Sequence, residues 1–275
     1  MKKENEKRIL RVVHENPGIY RKLIAARTDL SSQTVTNLVT ELLEKDILLE
    51  VALSPGTRGR APLSLRINYA GFYIITAEIT LRRLLVSLHS LEGRVAAHEE
   101  RALKGREDVL QYLKDMVEGV RQKAPSGGRL QGLVISVTGV VNEDTGTVVQ
   151  AEKLHWYNLN LKEELAYLNL PVLVRNDVNL IAYYEKTRHQ GDMNFMVAKI
   201  DVGIGSSFVL GSQVLRTTNN AVGELGHVTV FSDEVRPCAC GKKNCLTKFI
   251  SREALEKTYG KSYEELILDV EQGET

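Results

Sequence analysis

Cysteine is scarce in this chain: three in 275 residues, all between positions 238 and 245. Three thiols cannot all pair, so a disulfide scaffold is excluded, and a chain of this length buries enough core to do without one. Long apolar runs are absent too. Nothing approaches the roughly 20 residues of a membrane span. The start, Met1-Lys2-Lys3-Glu4-Asn5-Glu6, lacks the apolar stretch of a signal peptide, so a cytoplasmic protein with no membrane partner is expected. Nor is there an excess of one charge, with 36 Lys and Arg against 35 Asp and Glu. What remains, 43% hydrophobic and 26% charged residues, fits a globular chain of about two domains.

The balanced charge conceals an asymmetry. Residues 1–70 hold 12 basic and 8 acidic side chains. A modestly basic first segment suits an anionic surface, and the mildly acidic remainder suits a small neutral ligand.

Over residues 6–13, Ile9, Leu10, Val12 and Val13 fall at near-helical spacing, and Asn16-Pro17-Gly18 stops the helix. A second helix is expected over 20–28. After Asp29-Leu30, Ser31 or Ser32 can cap a third over 33–45, with Val35, Leu38, Val39, Leu42 and Leu43 on one face. Ser32, Gln33, Thr34, Thr36 and Asn37 open its other face with short hydrogen-bonding groups, the kind that read base edges in a major groove. Strands at 47–51 and 63–67 flank a Gly-rich turn bearing Arg58 and Arg60, which reads as a wing whose arginines meet phosphates or a narrow minor groove. The order of parts predicts a winged helix-turn-helix over residues 1–68. A helical protein-interaction module would share the three-helix pattern but not the polar reading face followed by a basic wing.

The remainder, 69–275, reads as α/β with a mostly parallel sheet: strands at 72–79, 84–88 and 95–103, a helix over 108–123, a strand at 130–137 ending in Thr138-Gly139, a helix over 161–167 and a strand at 171–174. Arg175-Asn176-Asp177-Val178-Asn179 follows at the carboxyl end of that last strand, where α/β folds place ligands. Asn176 and Asp177 there either present an amide and a carboxylate to sugar hydroxyls or cap the next helix.

His227, Cys238, Cys240 and Cys245 complete a tetrahedral Zn²⁺ set with no position left for a reacting water, so a structural zinc is expected. The alternatives are unmetallated thiols or a redox pair. His227 would bind with one ring nitrogen and leave the other for a neighbour or ligand, with Glu224 close by.

With these segments in place the chain resembles the ROK family of repressors, open reading frames and kinases, in particular its transcriptional-repressor branch. The resemblance runs from about residue 5 to about residue 272. It rests on Gly226-His227 followed by Cys238, Cys240, Gly241 and Cys245, and on Ile135-Ser136-Val137-Thr138-Gly139, Leu154-His155-Trp156 and the run Pro171-Val172-Leu173-Val174-Arg175-Asn176-Asp177. It implies a winged helix-turn-helix followed by an actin- and hexokinase-like sugar-binding domain, operator DNA and a monosaccharide effector as partners, and a homodimer or higher homo-oligomer. It also implies that Asn176, Asp177, Glu224 and His227 contact the sugar. The kinase branch carries Asp-x-Gly-Gly-Thr in the first hairpin, whereas this chain has Glu78-Ile79-Thr80-Leu81-Arg82, whose bulk obstructs a phosphate. Regulation rather than enzymatic activity is therefore expected, with no catalytic residue. A sugar kinase with an appended DNA-binding module, and a repressor with a vestigial effector site, are the alternatives. Thr247 stands where the family usually has a sugar-binding Glu, and the chain stops about a hundred residues before family members normally do, so a second lobe shortened at its carboxyl end is expected.

Overall fold

The computed structural model describes residues 2–51, 63–104, 108–189, 191, 193–217 and 222–273. The chain divides into two compact units, one of residues 1–75, 87–98 and 119–132, the other of 76–86, 99–118 and 133–275.

The first unit opens with three helices, α1 (Lys2–Glu15), α2 (Arg21–Thr28) and α3 (Ser32–Glu44). α1 starts four residues before the apolar spacing does. Its first turn is all polar and is held from outside, by Lys2 pairing with Glu41 on α3 at 2.8 Å. Ser31 is the cap of α3: its backbone is extended and its Oγ accepts from the Thr34 amide at 3.1 Å. Ile9, Val13, Ile24, Val35, Val39 and Leu42 interlock in one buried cluster. Leu48 and Leu65 of the hairpin β1 (Leu48–Val51) and β2 (Ser64–Ile67), paired antiparallel with Leu48 opposite Ile67, close it. The expected three helices and hairpin are therefore present. Arg58 and Arg60, at the expected wing tip, lie outside the described residues.

The chain continues through β3 (Phe72–Ile79), β4 (Arg83–Ser90), β5 (Val95–Ala102), α4 (Val109–Gln122), β6 (Arg129–Val137), β7 (Val140–Asn142), β8 (Thr147–Ala151), β9 (Trp156–Asn160), α5 (Leu161–Glu164), β10 (Val172–Asn176) and α6 (Asp177–Arg188). After them come β11 (Phe195–Ile200), β12 (Ile204–Leu210), β13 (Gln213–Val214), α7 (Thr247–Ile250), α8 (Arg252–Tyr259) and α9 (Tyr263–Gln272). The strand order of the largest sheet is β10-β6-β3-β4-β5.

The expectation of a mostly parallel sheet needs correction. β10 and β6 pair in parallel, but β3, β4 and β5 are joined by segments of three and four residues, too short for a parallel crossover. Two further sheets, β7-β8-β9 and β11-β12-β13, are antiparallel, with no α-helix between their strands and only a 3₁₀ turn, Glu152–Leu154, between β8 and β9. Their turns explain them. Gly211 and Ser212 both take positive φ, 53° and 59°, which suits the two-residue loop between β12 and β13. The helix expected over 161–167 is instead α5 followed by a 3₁₀ turn, Ala166–Leu168, closed by Asn169 at φ 52°.

α4 buries Val109, Leu113, Met116 and Val117 along one stripe. α6 packs Ala182 against Val209 of β12 and Val214 of β13. No helix among the described residues is long and apolar enough to cross a membrane.

Candidate functional site

On α3 the helical period separates two surfaces. Val35, Leu38, Val39 and Leu42 are buried, while Ser32, Gln33, Thr36 and Asn37 are exposed and Thr34 is half-buried. Gln33 Nε2 donates to Asn37 Oδ1 at 2.9 Å, so the two amides form one exposed polar edge. Thr36 donates to the Ser32 carbonyl at 2.8 Å and Thr34 pairs with Ser31. Two nearby cations serve the fold instead: Arg8 donates to the Thr28 carbonyl and Arg27 to Asn16.

In the second unit, the parallel register sets Asn176 opposite Val137, so Asn176-Asp177 lies beside Thr138-Gly139. Asn176 is the N-cap of α6. Its Oδ1 accepts from the amides of Val178 (2.9 Å) and Asn179 (3.1 Å), and its Nδ2 donates to the Gly139 carbonyl at 2.9 Å. Of the two readings open for Asn176, capping is the one its contacts display. Asp177 is different: its Oδ2 accepts from Thr138 Oγ1 at 3.1 Å and pairs with Lys199 Nζ at 2.8 Å. Lys199, on β11, also lies 3.9 Å from Asp201. Burial works against its ammonium, but attraction to Asp177 and their hydrogen bond prevail, and the lysine sits above its usual range.

A concave pocket beside these residues is lined by Gly139, Val141, Asn176, Val178, Asn179, Gly205, Ser206, Val222, Gly223 and Glu224. It brings Asn176 and Glu224 together. Asp177 and His227 are not in its lining, although His227 Nε2 lies 3.8 Å from Glu224 Oε2. The pocket wall requires glycine: a Cβ on Gly223, at φ 96°, would fall 1.8 Å from the Ser206 carbonyl oxygen, and Ser206 N donates to Gly223 O at 2.8 Å.

Sequence reasoning missed two contributors, Lys199 and Glu143. Glu143 is buried and meets Arg175 (3.3 Å), Arg216 (3.4 Å) and Tyr183 (3.4 Å), while its Oε1 accepts from Asn179 of the pocket at 3.0 Å. Asn179 in turn accepts from Ser207 at 2.7 Å, which fixes its amide.

The ligating atoms of His227, Cys238, Cys240 and Cys245 all lie within 4.8 Å of one another. His227 Nδ1 is 3.6 Å from Cys238 Sγ, and Cys240 Sγ is 3.6 Å from Cys245 Sγ. Thiolates around a tetrahedral ion with ~2.3 Å bonds would stand about 3.8 Å apart, so the donor set fits a metal. The imidazole would bind through Nδ1, leaving Nε2 toward Glu224. Gly241, at φ 86°, turns the loop, and its amide donates to the Cys238 carbonyl at 3.0 Å. Burial, with Cys240 and Cys238 alongside, pushes the Cys245 thiol up to about 12, a crowding that a bound cation would relieve.

The first hairpin holds its own turn together. Thr80 Oγ1 accepts from the amides of Arg82 and Arg83, and Arg83 pairs with Glu78 at 2.9 Å, so the turn consumes its own donors.

A family model described as "ROK family" matches residues 82–271, and one described as "Winged helix-turn-helix DNA-binding" matches residues 2–48. The xylose repressor of Caldicellulosiruptor bescii is 30% identical over 263 residues, which cover 93% of this chain and 65% of that protein. The chain thus spans about 65% of the length of that relative. A crystal structure titled a ROK family transcriptional regulator, homolog of the E. coli MLC protein, superposes with a TM-score of 0.76 at 26% identity, covering 94% of this chain and 66% of that one. A ROK family glucokinase from Streptomyces griseus with glucose and AMPPNP shares the fold, with a TM-score of 0.58 at 24% identity over 67% of this chain and 59% of that one.

Proposed function

Since the chain belongs to the ROK family, we propose that it is a sugar-responsive, DNA-binding transcriptional repressor. Residues 1–68 form its operator-binding part and 69–275 its sugar-binding part. The observation that carries this reading is the exposed Gln33 to Asn37 edge of α3, opposite a fully buried face, in a chain that also holds a polar pocket ending at Glu224. Ser32, Gln33, Thr34, Thr36 and Asn37 read bases, with Arg58 and Arg60 on phosphates or in the minor groove. Asn176, Asp177, Glu224 and His227 hold the sugar, Asn176 chiefly by shaping the turn. His227, Cys238, Cys240 and Cys245 hold a structural Zn²⁺, which supplies no chemistry beyond bracing the loop that carries His227.

The protein works in the cytoplasm as a homodimer, two α3 helices entering successive major grooves of a pseudo-palindromic operator. Sugar favours a form that fits the operator poorly. Coupling of this kind is worth about 1–3 kcal/mol, or about 5- to 150-fold in affinity. D-xylose is the first sugar to test, given the relative's name.

Sugar phosphorylation is the second reading, favoured by the fold shared with a glucokinase and by Asp177, which the family resemblance matches to the general base of the kinase members. The self-satisfied Thr80 turn speaks against it, as does Lys199 on Asp177. Selection of duplexes from a random pool, followed by binding with and without D-xylose, D-glucose and N-acetylglucosamine, tests the first reading. ATP-dependent phosphorylation of any of them would replace it with the second.

A further inference from the structure

Arg129 is the first residue of β6, yet its guanidinium serves the end of the DNA-reading helix, 84 residues earlier in the chain. Its Nη1 donates to the carbonyl of Lys45, the C-cap of α3. Its Nη2 stands 3.8 Å from Asp46 Oδ2, and its plane lies over the Phe72 ring, 5.5 Å from the centroid. A cation there meets the negative end of the helix dipole and one of the carbonyls that a helix end leaves unsatisfied. A planar fork can hold a carbonyl, a carboxylate and an aromatic face at once, which a lysine cannot. The same corner is gripped by Asn68, whose side chain donates to the Asp46 carbonyl at 3.0 Å and whose amide donates to the Ile47 carbonyl at 2.9 Å.

β6 runs unbroken from Arg129 to Val137, and Thr138 follows it directly, with its hydroxyl on Asp177. One strand therefore carries the clasp on the reading helix at its start and abuts a contact of the candidate sugar ligand Asp177 at its end. Its last five residues are locked in register with β10, which ends in Asn176.

We propose that Arg129 is a positioning residue for α3 and that β6 is the element through which sugar at Asp177 alters operator affinity. The proposal rests on the repressor reading above. It assigns Arg129 no contact with DNA or sugar; it acts through the end of α3.

The test uses the full chain, a duplex selected from a random pool by the unaltered protein, and D-xylose. The readout is the ratio of operator Kd with and without D-xylose, which a merely structural role would not move. For the unaltered protein a ratio of about 5 to 150 is expected. In Arg129→Met the ratio should fall below about 2 and operator Kd should rise several-fold, while the D-xylose-induced rise in Tm persists. Arg129→Lys keeps the charge without the fork and should be intermediate, which also covers failure of the Met variant to fold. A wild-type ratio and operator affinity in both variants would overturn the proposal. If D-xylose leaves the unaltered protein's Kd unchanged, the effector assignment fails by itself. Unaltered operator Kd in Arg129→Met would then still overturn the positioning role, and a several-fold rise would support it.

Discussion

Lys199 Nζ and Asp177 Oδ2 meet at 2.8 Å, with both side chains mostly shielded from water, at 28% and 13% exposure. The pair joins β11 to the start of α6. The same carboxylate oxygen takes the Thr138 hydroxyl, so the position that the family resemblance assigns to sugar is already organised by two donors. Pre-organisation of this kind suits recognition, because little order has to be imposed when a hydroxyl arrives.

The pair gives a pH prediction with a definite sign. Lys199 titrates above its usual 10.5, so its contribution is fully present below about 10.5 and is lost as pH rises through its folded-state value. Urea unfolding of the unaltered protein and Lys199→Met should differ by about 1–3 kcal/mol at pH 8, and the gap should narrow above about pH 10.5. A gap that widens with alkalinity would contradict the assignment.

Removing metal is expected to destabilise the loop around Cys245. Purified protein should carry about one Zn²⁺ per chain, and chelation should lower Tm. Cys245→Ser, at a buried position, should do the same without chelator. A metal-free protein of unchanged Tm would remove zinc from the account.

On α3, the two faces predict opposite phenotypes. Asn37→Ala and Gln33→Ala should weaken operator binding by about 1–3 kcal/mol each and leave Tm within experimental error, since both side chains are exposed. Leu42→Ala opens the buried cluster and should cost about 2–5 kcal/mol of stability. Loss of Tm in Asn37→Ala, with intact DNA binding, would refute the assignment of faces.

Helix α3 was legible because Val35, Leu38, Val39 and Leu42 repeat at the helical period and Ser31 offers a cap. The clustering of His227 with the three cysteines was legible from spacing, since the thiols lie within eight residues and the loop is local. The two antiparallel sheets were not. β7 and β13 span three residues and two, too few to show alternation, and their pairing depends on turn conformations at Gly146, Gly211 and Ser212. Glu143 and Lys199 escaped for another reason. A lone charged residue gives no periodic signal, and its worth comes from partners distant in sequence, Arg175 and Arg216 for one and Asp177 for the other.

Glu143 makes that last point testable. Glu143→Ala leaves Arg175 and Arg216 without their shared buried carboxylate and should cost about 3–5 kcal/mol by urea unfolding. A cost under about 1 kcal/mol would show that water reaches the network.

The most direct test of the account is operator affinity measured against rising D-xylose, D-glucose and N-acetylglucosamine, in the unaltered protein and in Asp177→Ala. One sugar should weaken binding by about 5- to 150-fold in the unaltered protein and leave Asp177→Ala, shown to be folded, unresponsive. Operator affinity unmoved by all three in folded, zinc-replete protein would contradict it.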